Sequence, residues 1–533
     1  MSDLPADQTR LIAALSEPRR HGPACTAVRL IETHISCVLL TGAFAYKIKK
    51  RIALPFVDFS TLAARHRYCL EELRLNRRLA PDLYLDVVTI TGTVDEPVLG
   101  GSGPVQEYAV RMREFSQDAL LSAELAHGEL CAEEIDTLAA MVASFHATIP
   151  AAPADGPFGT SADILSHARA NFTETAAAPN AADRATLDLL RAWTEREFVR
   201  RKTALDARRA TGFVRECHGD LHLGNIARID GAITIFDCIE FNEHLRWIDV
   251  ASEVAFTAMD LEDRGRADLA SRYVDRYLSI TGDYAGLAVF RFYVVYRALV
   301  RAKIAYLRLQ QLPEGADRAG VAREFRGYLA LARRHATMPR PAILITHGLS
   351  GSGKTAVAQG LLEHLGAIRI RTDIERKRIH GVAPQDHPGV LPAEGLYAAE
   401  VTRATYARTL DLARAVVGGG SHAIIDGTFL RRWQRDGARA LATELDVPFV
   451  IVSLRADNLT LRQRIAQRAA AATDASDATV EVLEYQIATQ EPLGPDELPL
   501  AVAYDAQAPL PHARNAQTWD AVVARIGASA AAR

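Results

Sequence analysis

The sequence predicts a two-domain α/β chain: an α+β domain with a small β-rich lobe followed by a helical lobe, then an α/β domain around a parallel sheet. Three observations carry this. The short β-type runs VRLIET, SCVLLT and AYKIKK at 28–33, 36–41 and 45–50 are separated by turn residues and form an antiparallel meander. Ala-rich stretches of helical spacing fill most of 118–209, and helices resume from Trp247 to about His335. Beyond 342 the apolar runs AILIT, AIRI, HAIID and FVIVSL alternate with helix-length segments, the grammar of parallel strands with crossover helices.

Between these elements the expectations are specific. Helical spacing of Leu62, Cys69 and Leu73 predicts a helix over 60–79 that stops before Pro81. Strands follow at 85–91 and 105–112, and a second β-rich patch of FVREC, NIARI and ITIFD spans 213–237. The segment ATMPRPA at 336–342 holds two prolines and no periodicity, which sets a linker there, a first domain at 1–335 and a second at 343–533. The Ala-rich run around 469–472 fits helix better than linker.

Composition limits the function classes. A chain of 533 residues with 62 Lys plus Arg against 65 Asp plus Glu carries a formal charge of −3, so no global positive field holds nucleic acid or an anionic membrane. No run approaches the ~18 apolar residues of a membrane span. Residues 1–20 lack the apolar core of a signal peptide, and the six cysteines show no C-x-x-C pair and no His spacing typical of zinc, so a cytoplasmic protein with reduced thiols is expected. Oligomeric state is left open.

The first strand of the second domain is followed by GLSGSGKT, 348–355, which satisfies G-x-x-x-x-G-K-S/T between a strand and a helix. Gly348, Gly351 and Gly353, with Ser350 and Ser352 between them, let backbone N–H groups turn inward around phosphate oxygens. Lys354 is placed to reach the β/γ-phosphates and Thr355 to hold Mg²⁺. Only seven lysines occur in the chain, so a Lys where the motif demands one is informative. Asp426 ends the apolar run AIID and suits the acid that holds Mg²⁺ through water, or caps the next helix. Asp373 in IRIRTDIERKR is placed to accept a hydroxyl proton, with Arg376 one turn on to bind phosphate or substrate; a plain N-cap is the competing reading. Arg462, Arg464 and Arg468 offer a lid over the transferring group or a solvated helix face. On GLSGSGKT, TDIERKR, IIDGTF and this arginine segment, residues 341 to about 510 resemble the P-loop kinases of the zeta-toxin, gluconate-kinase and polynucleotide 5′-kinase class. The resemblance implies ATP-dependent phosphorylation of a hydroxyl.

The first domain carries HGDLHLGN at 218–225 and IFDCIEFN at 235–242. Asp220 and Asn225 lie five apart on a loop, the spacing at which an acid orients an acceptor hydroxyl and an amide oxygen binds metal, and Asp237 completes a set of hard oxygen ligands for Mg²⁺. His218 is expected to hold the loop through backbone, and Cys217 and Cys238 to be buried thiols. The motif H-G-D-x-x-x-x-N with the following Asp resembles the aminoglycoside phosphotransferase family, a protein-kinase-like fold, over about 25–335. That resemblance implies Asp220 as catalytic base, Asn225 and Asp237 as Mg²⁺ ligands, and Lys47 at the α/β-phosphates paired with Glu72, with Lys49 and Glu71 as fallbacks. No G-x-G-x-x-G precedes Lys47, and Cys-Ile-Glu rather than Phe-Gly follows the metal acid. Asp249, Glu253, Asp260, Glu262 and Asp263 read best as a solvated helix face, although in the resembled family acidic helical residues line a pocket for cationic acceptors.

The combined expectation is a two-headed kinase in which each head moves the γ-phosphoryl of Mg·ATP, or of GTP, to a hydroxyl of a small molecule. The alternatives are a P-loop head acting on nucleic-acid 5′-hydroxyl ends, and one head serving as a regulatory module without turnover.

Overall fold

The computed structural model describes residues 4–54, 57–177, 180–312, 316–338, 340–382, 399–471, 479–507, 510–513 and 515–531. They form two compact units. The first comprises 1–131, 144–167 and 205–260, and the second 132–143, 168–204 and 261–533. Helices 261–336, which the sequence groups with the first domain, therefore pack with 343–533.

In the first unit the expected meander forms from Arg29–Glu32, Ser36–Leu40 and Phe44–Lys49. It extends through Glu107–Arg113 and Tyr84–Gly92 to a short edge strand, Pro97–Leu99, and every neighbouring pair is antiparallel. The period of two puts Lys47 and Lys49 on one face, opposite Val110 and beyond Ile48 in the ladder with the Glu107–Arg113 strand. Helix Leu62–Asn76 is started by Thr61, whose hydroxyl accepts from the Ala64 N–H at 3.1 Å, and it turns Glu72 inward.

Two small ribbons shape the 218–240 region. Ile226–Ile229 and Ala232–Ile235 form a hairpin whose turn residues, Asp230 and Gly231, both take positive φ, as a two-residue turn between twisted strands requires. Val214–Glu216 pairs with Trp247–Asp249, so the helix expected from Trp247 starts only at Val250. This pairing is non-local and leaves no periodic trace in three residues.

In the second unit five strands are all parallel, in the order Ile368–Arg371, Ala423–Asp426, Ile343–His347, Phe449–Arg455 and Ala501–Asp505. The first four are the expected ones. The apolar residues of the first four strands are buried, as covering helices on both faces demand. The Ala-rich run lies in helix Asn458–Ala471 up to its last residue, and 472 falls outside the described residues. Among the described residues no helix is long and apolar enough to cross a membrane.

A buried ion pair holds the loop after Asp426. Arg435 donates to Glu497 at 2.7 and 3.0 Å and to the Phe429 carbonyl at 3.0 Å, with both side chains sealed from solvent. Glu497→Ala leaves that guanidinium without its charge partner and is expected to cost about 3–5 kcal/mol. The measurement is the urea midpoint of the second unit's unfolding step; a change within about 0.5 kcal/mol, the scale of an ordinary surface substitution, would show that the pair is not what holds this loop.

Candidate active sites

In the first unit the expected residues form one linked set of charges. The Lys47 ammonium lies 2.8 Å from one Glu72 oxygen, as an ion pair without a well-aimed hydrogen bond, and 2.5 Å from the Asp237 carboxylate. Lys49 donates to the other Glu72 oxygen at 2.7 Å and to Glu240, and its ammonium stands 5.0 Å from the Phe59 ring centre. Both lysines thus share Glu72, whereas Glu71 faces Arg74 and Arg246. Burial pushes the Glu72 carboxyl upward, but the two ammonium groups outweigh it and hold it below its ordinary range. Lys49 and Glu240 are sealed, while the Asp237 side chain is 42% exposed, so only the Lys47 end of the chain of charges opens to solvent. Glu240 was not picked out from the sequence; the one signal was its position three residues beyond Asp237.

The 218–225 loop is tied to the segment that carries Asp237. The Asn225 carbonyl accepts from Phe236 N–H at 3.0 Å, and the His218 carbonyl accepts from Ile239 N–H at 3.0 Å. The His218 ring contacts the Phe236 carbonyl at 2.8 Å, the loop-holding role expected of it. Asp237 takes a left-handed φ of 66°, uncommon for a non-glycine residue, with its N–H donating to the buried Tyr84 hydroxyl at 3.2 Å. The Asn225 amide donates to the Asp220 carboxylate at 3.0 Å and to its carbonyl at 2.9 Å, which leaves the amide oxygen for another partner. Cys217 and Cys238 are buried, as expected.

The helix Val250–Asp263 corrects one expectation. Glu253 and Asp260 are buried, not solvated. Glu253 accepts from His218 N–H at 3.0 Å, Gly219 N–H at 2.7 Å and the His146 ring at 3.1 Å, and Asp260 accepts from Leu223 N–H at 2.9 Å. Thr257, between them on the same face, donates to the Leu221 carbonyl at 2.9 Å. Asp249 is likewise buried, paired with Arg208 at 2.7 Å, and Glu262 pairs with His335. This face grips the loop. Gly219 at φ 90° sits where a Cβ would stand 2.8 Å from the Leu245 carbonyl, so the loop closes only with glycine there.

In the second unit the phosphate loop leads into helix Lys354–Leu365. Gly351 has φ 83°, and a Cβ there would stand 2.8 Å from the Leu461 carbonyl. Ser350 N–H donates to Gln486, Lys354 donates to the Leu349 carbonyl at 2.8 Å, and the Ser352 hydroxyl is buried without a partner among the described residues. A cavity of about 1010 Å³ brings together Lys354, Thr355, Asp373, Arg376, Asp426 and Arg464, and Ser350, Gly351 and Gly353 also border it. Gly348 and Ser352 do not border it. Asp426 lies at the strand end, near the Thr346 hydroxyl, and its carbonyl accepts from Thr372 at 3.1 Å. Asp373 and Arg376 sit one turn apart, 3.4 Å between charges. Arg464 points at the loop, with one guanidinium nitrogen 3.8 Å from where a Cβ on Gly353 would stand. Arg462 instead makes a half-exposed pair with Glu484, and the Arg468 side chain lies outside the described residues.

Residues 59–293 match the phosphotransferase enzyme family, and 343–493 match an AAA domain family. Proteins of Mycobacterium tuberculosis and Mycobacterium bovis, described only as uncharacterized, are 33% identical over 458 residues, covering 85% of this chain and 88% of theirs. Among solved structures, a sugar kinase from Janibacter is 19% identical, covers 36% of this chain and 98% of its own, and has a TM-score of 0.28. A choline/ethanolamine kinase family protein from Mesorhizobium loti is 13% identical and covers 61% of this chain and 98% of its own, with a TM-score of 0.34.

The grip on the 218–225 loop has a pH signature. Burial alone would raise the Glu253 carboxyl; the His146 hydrogen bond and charge, with those of His218, hold it down at about 2 against an ordinary 4.5. A depressed carboxyl stabilises the fold above the unfolded value and loses that contribution as pH falls towards the folded one. The unfolding free energy of the parent minus that of Glu253→Gln should therefore shrink by on the order of 3 kcal/mol between about pH 6 and pH 2. Denaturant midpoints across that range supply the comparison, and a constant difference would contradict the charge network.

Proposed function

Because this kinase belongs to the same family as the mycobacterial proteins, and joins a phosphotransferase-family segment to a P-loop segment, we propose that it has two heads, each transferring the γ-phosphoryl of Mg·ATP to a hydroxyl of a small molecule. Functionally we divide it into residues 1–335 and 343–533. The carrying observation is one cavity that gathers Lys354, Thr355, Asp373, Arg376 and Asp426 from three sequence-distant segments.

In the first head Lys47, oriented by Glu72, binds the α/β-phosphates; Asp220, held by Asn225, accepts the acceptor's proton. In the second head the backbone N–H groups of 350–355 and the Lys354 ammonium cradle the β/γ-phosphates, Arg464 closes over them, and Asp373 takes the proton beside Arg376. Asn225 with Asp237, and Thr355 with Asp426, offer only hard oxygens, a donor set that fits Mg²⁺. In support, the Asn225 amide nitrogen is spent on Asp220 and the Asp237 carboxylate is half exposed. When bound there, Mg²⁺ would supply charge neutralisation of the phosphates. Positioning and charge neutralisation supply the rate in both heads, since phosphoryl transfer asks little covalent chemistry of a protein.

The test is Mg²⁺-dependent ADP release by the intact chain and by Asp220→Asn, Lys354→Ala and the double variant, across aminoglycosides, sugars, sugar acids, nucleosides and 5′-hydroxyl oligonucleotides. A given acceptor's stimulation should fall by about 10²–10⁴-fold in one single variant and persist in the other. Stimulation by no acceptor, with nucleotide still bound, would defeat the two-kinase reading.

A further inference from the structure

The cavity of the second unit has a wall that the P-loop match does not contain. Helix Ala267–Thr281 lies inside the stretch matched to the phosphotransferase family, yet it belongs to the second unit and borders the phosphate-loop cavity with Arg272, Asp275, Arg276 and Ser279. These positions are spaced i, i+3, i+4 and i+7, a single helix face, while Tyr273, Val274, Tyr277 and Leu278 are buried. A polar stripe at core spacing needs a polar neighbour.

The helix is pinned on that face. The buried Asp275 carboxylate accepts from the Arg369 N–H at 2.7 Å and pairs with the Arg369 guanidinium at 3.1 Å. Arg369 in turn donates to the carbonyl of Thr355, at the start of the phosphate-loop helix. One turn on, the Ser279 carbonyl accepts from Arg378 at 2.6 Å. Arg276 sits between these pins. Arg272 is committed to Asp136 and Glu363, at 2.6 and 3.1 Å. Arg276 has no carboxylate partner among the described residues, and its Nε is buried without a hydrogen-bond partner there. A buried N–H donor in that state is costly unless a partner completes it, and the half-buried guanidinium is turned to the cavity.

Charge around the whole cavity points the same way. Nine cationic side chains border it against four carboxylates among the described residues. Lys354 and Arg464 are at the phosphate loop, and Mg·ATP brings a net charge of only about −2, which leaves a positive excess. Arg403, on the helix Ala399–Gly418, likewise borders the cavity without a carboxylate partner among the described residues.

We infer that the acceptor of the P-loop head is a small alcohol bearing an oxyanion, a carboxylate or a phosphate, and that Arg276 from the phosphotransferase-matched helix binds that anion. The inference rests on the kinase reading of this cavity. In the step, the acceptor hydroxyl oxygen bonds to the γ-phosphorus as the bond to the β–γ bridging oxygen breaks; ADP leaves with that electron pair, and the hydroxyl proton passes to Asp373. The P-loop segment at 343–493 is then incomplete as an enzyme without a helix from 267–281.

The experiment uses the full chain and follows the part of ADP release that Lys354→Ala abolishes. Gluconate supplies a carboxylate, glucose 6-phosphate and glycerol 3-phosphate a phosphate, and glucose and glycerol no charge; a 5′-hydroxyl oligonucleotide is the macromolecular comparison. The oxyanion acceptors should stimulate and the neutral ones not, with the preferred group telling carboxylate from phosphate. Arg276→Gln should raise the KM of that acceptor on the order of tenfold to a hundredfold, the range of a charged hydrogen bond, and by more than it raises the KM for ATP. Arg276→Lys should recover part of it, and an unchanged urea midpoint excludes misfolding. Equal use of neutral acceptors, stimulation by the oligonucleotide alone, or an unchanged acceptor KM in Arg276→Gln overturns the inference. If no acceptor is turned over, calorimetric binding of gluconate and the two phosphates separates the readings: binding weakened by Arg276→Gln defeats the kinase reading and leaves anion capture standing, and no such binding defeats both.

Discussion

A carboxylate taken out of water must be met by a donor or a cation at fixed geometry, and four such groups, Glu72, Glu253, Asp275 and Glu497, hold the reactive segments of this chain to their frames. Glu72 joins helix Leu62–Asn76 to the strand that carries both lysines. Glu253 holds the backbone just before Asp220, Asp275 anchors a cavity wall through Arg369, and Glu497 with Arg435 fixes the loop after Asp426. Such pairs contribute less to net stability than to uniqueness of position, since breaking one strands its partner in the interior. Phosphoryl transfer depends on that kind of placement.

The parts of the fold and site that were legible in the sequence are those whose chemistry demands local spacing. GLSGSGKT, HGDLHLGN, Asp237 just past its strand and Asp426 at the end of its own each need backbone groups or hard oxygens within a few residues of one another, so a contiguous string records them. Three of five parallel strands were legible because burial on both faces leaves a nearly unbroken apolar run, and Ile368–Arg371 was legible by alternation of buried Ile with Arg. The fifth, AVAYD, is too mixed to stand out, and Trp247–Asp249 forms only because Val214–Glu216 is there to pair with it.

Partners drawn from far along the chain left no such record. Glu240, His146 and Glu253 look like ordinary polar residues until the fold brings them to Lys49 and to the loop before Asp220. The choice between Lys47 and Lys49 was undecidable by periodicity, since both lie on one face; what separates them is that one reaches a half-exposed acid and the other a sealed one. Helix Ala267–Thr281 shows the reverse case. Its polar stripe was present in the sequence at helical spacing, but a stripe says only that something polar faces it.

The acidic helix after Trp247 bears on the choice of acceptor. In the resembled family acidic helical residues line a pocket for cations, yet here the two Glu253 oxygens are taken by two backbone N–H groups and a histidine, and an Asp260 oxygen by a third N–H. A carboxylate so engaged cannot turn to a substrate ammonium without releasing the loop that carries Asp220. These residues therefore serve the geometry of the loop in the first unit, and the residues that choose an acceptor must be sought elsewhere around it. In the second unit the surplus charge around the cavity is positive, and Arg276 and Arg403 have no carboxylate partner among the described residues. On the proposed reading, the motifs fix where a phosphoryl group is held, and side chains outside the motifs decide what receives it.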